Sequence, residues 1–294
     1  MRRWLWAAMV MGAVQGAQAA DLPEFLADTP LRGGLSTISR NWEGYYVGGQ
    51  AGYTSATVDF STAQASMVNF LLRNSVEQSL VQGWTLFGKN HVQGTSFGAF
   101  AGRNFQWDDV VLGVEMTYNY MSGIGSTVTN SMGRQMSNPS GTTPPAGHTY
   151  TYAMGLTGAS SLTLHDVMTF RGRAGWSTGN FLPYAFGGLA VGRMDVSRSV
   201  AVSETLYDSY TVQQVVGGVV VNVPVTDTTV YPVLSSTETR RNAFVAGYTA
   251  GLGTEVALFD NMFLRAEWEY IKFLKVKDIA VATNSARLGL GYKF

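Results

Sequence analysis

From Tyr45 onward the chain alternates apolar residues with polar or small ones at a period of two. Tyr45, Val47, Gly49, Ala51 and Tyr53 share one face of the first run, and Tyr46, Gly48, Gln50 and Gly52 the other. Successive side chains of a strand point to opposite faces, so this spacing predicts a β-strand. The pattern returns seven times. Residues 95–107 set Phe97, Ala99, Ala101, Phe105 and Trp107 against Ser96, Gly98, Gly102, Asn104 and Gln106. Residues 109–120 set Val110, Leu112, Val114, Met116, Tyr118 and Tyr120 against Val111, Gly113, Glu115, Thr117 and Asn119. Residues 166–177 oppose Met168, Phe170, Ala174 and Trp176 to Thr169, Arg171, Arg173 and Gly175. Residues 181–193 are glycine-rich, carry Pro183 and have no unambiguous facing. Residues 243–257, 261–273 and 281–294 complete a set of eight strands.

Connections alternate in length. Short turns fall at 107–109, 177–180 and 258–261, whereas long polar segments fill 57–94, 122–165 and 194–242, with a shorter one at 274–280. A barrel with short turns on the periplasmic side and long outer loops has this rhythm. The expected fold is all-β: an eight-stranded antiparallel up-and-down transmembrane β-barrel with long extracellular loops. A soluble sandwich with an aromatic core is the alternative, since its strands alternate in a similar way.

Aromatic placement favours the barrel. With the short turns below, Tyr45, Phe105, Trp107, Trp176, Tyr292 and Phe294 lie near the lower strand ends. Tyr53, Tyr118, Tyr120, Phe244, Tyr248 and Tyr270 lie toward the upper ends, with small or aliphatic residues between. Two aromatic girdles around an apolar band are a lipid-facing layout. The opposite face then lines the interior and gathers Glu115, Arg171, Arg173, Glu255, Arg265, Glu267, Glu269 and Arg287. Eight strands leave an interior just wide enough for side chains to fill, so these charges are expected to pair into a plug. A proton or ion relay is the alternative for the same residues. Arg103 fits badly, because it falls on the lipid face.

Composition agrees with a surface partly turned to lipid. Only 14% of the 294 residues are charged, and Gly numbers 34 against roughly 21 at ordinary usage of ~7%. Twenty basic residues balance 20 acidic ones, which argues against nucleic-acid binding. Absence of cysteine excludes disulfide scaffolds and thiolate chemistry. Arg2 and Arg3, the apolar run from Trp4 to Val14 and the small residues around Ala17-Gln18-Ala19 read as a cleaved secretory signal. The expected layout is a signal peptide over 1–19, a flexible periplasmic lead-in over 20–41 and an outer-membrane barrel over 42–294.

Several blocks resemble one family. Trp42-Glu43-Gly44-Tyr45-Tyr46-Val47-Gly48-Gly49, Val111-Leu112-Gly113-Val114-Glu115 and Phe170-Arg171-Gly172-Arg173-Ala174-Gly175 are similar to strands of the outer-membrane immunogenic proteins of alphaproteobacteria. So are Leu182-Pro183-Tyr184-Ala185-Phe186-Gly187-Gly188-Leu189-Ala190 and the ending Ala286-Arg287-Leu288-Gly289-Leu290-Gly291-Tyr292-Lys293-Phe294. The resemblance covers nearly all strands but little of the loops. It implies an OmpA-like barrel of a Gram-negative outer membrane, porin-like in name and exposed as an antigen. Some relatives are described as haem-binding or as supporting envelope integrity. The closing aromatic resembles the signal read by the barrel-assembly machinery.

Candidate chemistry is sparse. His91, His148 and His165 fall in or beside outer loops without metal-ligand spacing, and His165-Asp166 cannot readily pair because strand neighbours diverge. No catalytic, cofactor or metal residue is assigned, and no cofactor is expected. Met67, Phe70, Leu71 and Asn74 have helical spacing, which suggests a short amphipathic helix on the rim or against lipid headgroups. Val215-Val216-Gly217-Gly218-Val219-Val220-Val221 reads as a hairpin above the membrane, with apolar edges suited to adhesion or self-association. The leading expectation is a non-catalytic surface barrel meeting outer-membrane lipid. A narrow diffusion channel for small solutes or ions, and loop-mediated binding of haem or an adhesion ligand, are the alternatives.

Overall fold

Each predicted strand forms, and those at 45–53, 95–107, 166–177, 181–193 and 243–257 extend well beyond the expected range. The computed structural model describes residues 40–73, 75, 78–81 and 83–294, so the expected signal peptide and nearly all of the lead-in lie outside them. In chain order the elements are β1 (Gly44–Asp59), α1 (Ala65–Leu71), α2 (Gln78–Val81), β2 (Lys89–Trp107), β3 (Val110–Ser122) and β4 (Gly125–Ser137). They continue with β5 (Thr149–Trp176), β6 (Phe181–Val216), β7 (Val219–Val230), β8 (Leu234–Ala257), β9 (Met262–Phe273) and β10 (Ala280–Lys293). All pairings are antiparallel. Strands β1, β2, β3, β5, β6, β8, β9 and β10 close into an eight-stranded barrel through the β5–β6 and β1–β10 pairings.

The remaining two strands revise the reading of the long connections. Residues 122–165 and 194–242, expected as loops, are mostly sheet: β4 pairs along the upper half of β5, and β7 along the far end of β6. The first connection narrows to residues 60–88. Some 9–11 residues of tilted strand suffice to span a bilayer. With 28 residues in β5 and 36 in β6, much of each stands beyond the apolar band.

Sheet polarity reverses where those strands leave the band. On β6 the outward residues run Phe181, Ala185, Leu189 and Val191, then change to Arg193, Asp195, Ser197 and Ser199. Inward positions change oppositely, from Thr169, Arg171 and Arg173 on lower β5 to Leu164, Leu162, Leu156 and Met154 on its upper half. Lipid solvates the apolar side below, while water surrounds the sheet above and draws apolar residues inward. A register shift between Leu164 and Asp166 moves the inward parity of β5 from odd to even numbers. On β8 the shift lies opposite Met194 and Val196, where Asn242 takes a positive φ of 52°. Such bulges insert one residue and rephase the strand.

The first connection closes the upper end. Phe60, Ala63, Met67, Val68, Leu72, Val81, Trp84, Leu86 and Phe87 are buried with Leu156, Leu162, Met194, Val200, Ile271 and Phe273 in one apolar cluster. Full burial of a side chain such as Phe60 or Leu86 contributes about 1.5–3 kcal/mol. Helix α1 therefore packs Met67 and Val68 down onto this cluster and leaves Phe70 exposed. Its apolar side covers the interior instead of lying against lipid.

Candidate functional site

Inward positions of the band come together in a compact charged knot. Strands β3 and β5 place Glu115 directly opposite Arg171, and β8 and β9 place Glu255 opposite Arg265. Arg171 donates Nε to Glu115 Oε1 at 2.8 Å and Nη2 to Glu267 at 2.6 and 2.8 Å, and its Nη1 reaches Glu269 at 3.4 Å. Arg173 forms a two-pronged pair with Glu255, 2.8 Å on each arm, and touches Glu115 at 3.3 Å. Arg265 bridges the two sides, donating to Glu115 at 2.7 Å and to Glu255 at 2.6 Å. Arg287 pairs with Glu269. Side-chain exposure of these eight groups is 0–2%, so each charge is held by its partners instead of water. Buried charges persist when paired, and all but Arg287, which has its ion pair with Glu269 and no hydrogen bond, are hydrogen-bonded as well.

Neutral groups complete the knot. Tyr46 donates its hydroxyl to Glu115 at 2.7 Å, Tyr184 to Glu267 at 2.5 Å and Thr249 to Glu269 at 2.8 Å. Guanidinium planes lie over rings: Arg265 at 3.7 Å from Phe100, Arg171 at 4.0 Å from Phe186 and Arg173 at 4.1 Å from Tyr184. Glycine makes the space, since a Cβ at Gly102 or Gly253 would overlap the Tyr46 or Tyr184 hydroxyl. The unassigned facing of 181–193 is thereby settled, with Leu182, Tyr184 and Phe186 inward.

Layers stack on either side of the knot. Toward the short turns, Trp42, Val111, Leu182 and Phe263 form an apolar floor continuous with Tyr46, Phe100 and Phe186, whose rings line the knot itself. Gln106 and Asn104 fasten Trp42 there through its backbone N–H and C=O, at 2.6 and 3.2 Å. Above it runs a polar layer with Gln50–Asn119 at 2.7 Å, Thr117–Thr169 at 2.7 Å and Thr54–Ser285 at 2.9 Å. Above that lies the apolar cluster under the first connection.

A second polar assembly, which sequence reading missed, latches that cover. Arg198, on upper β6 and only 5% exposed, donates to Glu238 on β8 at 3.0 and 2.7 Å. Its Nη1 also reaches the Ala63 carbonyl at 2.7 Å, the Lys277 carbonyl at 3.0 Å and Asp278 Oδ2 at 3.1 Å. Asp278 in turn accepts the Ser66 hydroxyl at 2.7 Å, and its carbonyl accepts Thr62 at 2.6 Å. One guanidinium thus ties the first connection, the β9–β10 turn and β8 together. The only sequence signal was an arginine at an inward position of an alternating run.

Other predicted residues are dispersed. Tyr45, Tyr53, Trp107, Tyr118, Tyr120, Trp176, Phe244, Tyr248, Tyr292 and Phe294 are exposed on the outward face, with Phe105 and Tyr270 half-buried there. His91 contacts Thr57 at 3.0 Å, and His165 contacts Asp195 at 3.0 Å. His148 meets Asp208 at 2.8 Å and stacks on Tyr210 with centroids 4.4 Å apart. Asp166, beside His165 in sequence, pairs instead with Arg193 across the strand boundary. Among the described residues no three His, Asp or Glu side chains gather in a metal-binding group. The 215–221 segment is a hairpin turning at Gly217 and Gly218, whose φ values of 60° and 82° suit a two-residue turn.

A family model described as outer membrane protein beta-barrel domain matches residues 6–294. Among solved structures, the chain is similar to Neisserial surface protein A (NspA), with 17% identity, coverage of 85% of this chain and 97% of that one, and a TM-score of 0.34. It is also similar to Ail, the attachment invasion locus protein of Yersinia pestis: 13% identity, 86% and 99% coverage, TM-score 0.32. The N-terminal β-barrel domain of Pseudomonas aeruginosa OprF gives 11% identity, 86% and 98% coverage and a TM-score of 0.34. Comparison with curated proteins gives no match.

Proposed function

Because the chain belongs to the outer-membrane β-barrel family, we propose that it is a closed structural barrel of a Gram-negative outer membrane that displays a folded sheet to the outside as a porin-like surface antigen. The observation that carries this reading is the Glu115–Arg171–Arg173–Arg265 knot, buried across the lumen and covered by the apolar cluster above. Solutes have no ready path through such a cross-section, because eight strands leave only enough width for side chains. The reading includes no catalysis and no cofactor. Strand β10, ending beside the exposed Phe294, is the proposed contact for the barrel-assembly machinery.

Planar-bilayer recording tests the closed lumen. Folded protein, verified by heat-modifiable migration, is expected to insert without steady conductance steps. Sustained open channels from wild-type protein would overturn the reading in favour of a narrow diffusion pore.

Exposed apolar residues favour a second role for the outer sheet, adhesion or self-association. Val215, Val216, Val219 and Val220 at the hairpin tip are 59–69% exposed. Protease added to intact cells is expected to cut near Gly217 while sparing 108–109, 177–180 and 258–261. Cleavage confined to those short turns would invert the proposed orientation.

A further inference from the structure

Arg103 breaks the rule that charges on the spanning strands face inward. Pairing is continuous through Tyr45–Arg103 and Arg103–Val114, so no bulge has turned the residue outward. Its guanidinium lies 4.8 Å from the Tyr45 ring centroid and 4.7 Å from that of Phe105, and Nη1 donates to the Tyr45 hydroxyl at 3.1 Å. Among the described residues it forms no ion pair with a carboxylate. A cation held between two rings of the lower aromatic girdle, without a counter-charge among the described residues, is matched to an anion at that depth of the bilayer.

The surface beside it is shaped for what such an anion carries. A hollow of about 620 Å³ opens on the outer face next to Arg103. Ala101, Val114 and Gly172 form its floor, and Tyr45, Met116 and Phe170 stand around it. A Cβ added to Gly172 meets nothing within 4 Å, so that position opens straight into the hollow. Direction agrees as well. Ala101 pairs with Met116 and Met116 with Phe170, one step farther from the short turns than the Arg103–Val114–Gly172 row. Polar recognition therefore sits at the headgroup end, with the apolar trough running toward the bilayer centre.

We propose that this hollow binds one anionic glycerophospholipid of the leaflet on the short-turn side, its phosphate on Arg103 and the Tyr45 hydroxyl and an acyl chain over Gly172. A net-negative headgroup is favoured over a zwitterionic one because Arg103 turns a positive charge outward, while Glu115, the one carboxylate among the lining residues, is buried on the inner side and out of reach of a headgroup amine. The site rests on the membrane orientation proposed above and is independent of what the outer sheet contacts.

Native mass spectrometry of the folded, detergent-solubilised barrel provides the test, with phosphatidylglycerol and phosphatidylcholine of identical chains as probes. Wild-type protein is expected to retain one phosphatidylglycerol in preference to phosphatidylcholine. Arg103→Gln should weaken phosphatidylglycerol retention about tenfold, the size of one lost charge-assisted hydrogen bond, and phosphatidylcholine retention by less, so that the preference is lost. Gly172→Leu fills the trough without touching the interior and should lower retention of both lipids. Equal retention of the two lipids by wild-type protein would sink the site, as would a preference that survives Arg103→Gln in a protein that remains heat-modifiable. Either outcome leaves the protease-defined orientation standing.

Discussion

Glu115→Ala is expected to destabilise the barrel by about 3–5 kcal/mol, the cost of stripping a buried ion pair of one partner. Glu115 accepts from Arg171 and Arg265 at 2.8 and 2.7 Å, from Arg173 at 3.3 Å and from Tyr46 at 2.7 Å. Its removal leaves three guanidinium groups facing three carboxylates and Arg287, in a space where side chains are 0–2% exposed. The loss should appear as a lower unfolding midpoint in urea, followed by tryptophan fluorescence in lipid. Glu115→Gln preserves shape and one acceptor and should fall between the variant and wild type. Asp260→Ala removes a fully exposed carboxylate 4.0 Å from Arg40 and should leave the unfolding midpoint at the wild-type value. A Glu115→Ala midpoint equal to that of Asp260→Ala would mean the knot contributes nothing to stability.

Strand existence was legible in the sequence because the outward aromatic residues have large amplitude at period two. Tyr118 and Tyr120 opposite Thr117 and Asn119 admit one reading, and β3 carries them that way. Upper β5 and β6 were harder. Met154, Leu156, Leu162 and Leu164 alternate with Gly155, Thr157, Ser161 and Thr163, a weaker contrast interrupted by inward Gly158 and Ser160. Those segments read as polar loops because the outward aromatic residues of the apolar band give way to Gly, Ser and Thr there, with Tyr150, Tyr152, Tyr207 and Tyr210 confined to the far parts of the strands. Rephasing at Leu164/Asp166 also hid the continuity of β5, since a single inserted residue flips every later side chain.

Pairing was less legible than facing. That Arg171 and Glu115 turn inward follows from their own strands, but Arg265 meets Glu115 across 150 residues of chain. Only barrel closure sets that distance. Arg198, Ala63, Glu238 and Asp278 are likewise brought together by the upper sheet and not by any motif. What the alternation could have offered was narrower: a charged residue at an inward position, flanked by Val196 and Val200, needs a partner from elsewhere.

Arg198→Ala is expected to free the first connection while the barrel beneath stays folded. The substitution leaves the Ala63 and Lys277 carbonyls without their charged donor, at about 1–3 kcal/mol for each buried acceptor that water does not reach. Glu238 and Asp278 are partly exposed and turn to solvent at little cost, so the penalty stays local to the cover. Amide exchange across 60–73 should quicken while exchange in β3 and β9 is unaltered, and heat-modifiable migration should persist. Acid should imitate the mutation. The Arg198 hydrogen bond holds the Glu238 carboxyl below its ordinary value, aided by Lys277 against the opposing effect of burial. Burial raises Asp278, but Ser66 and Arg198 outweigh it and leave that carboxyl lowered too. A carboxyl lowered in the latched state stabilises the latch fully above its ordinary pKa and loses that contribution as pH falls through the lowered value. Wild-type exchange across 60–73 should therefore rise below about pH 4, the ordinary carboxylate range. Arg198→Ala protein should show fast exchange at both neutral and acid pH. Slow, pH-independent exchange in the variant would show that the apolar cluster alone holds the cover.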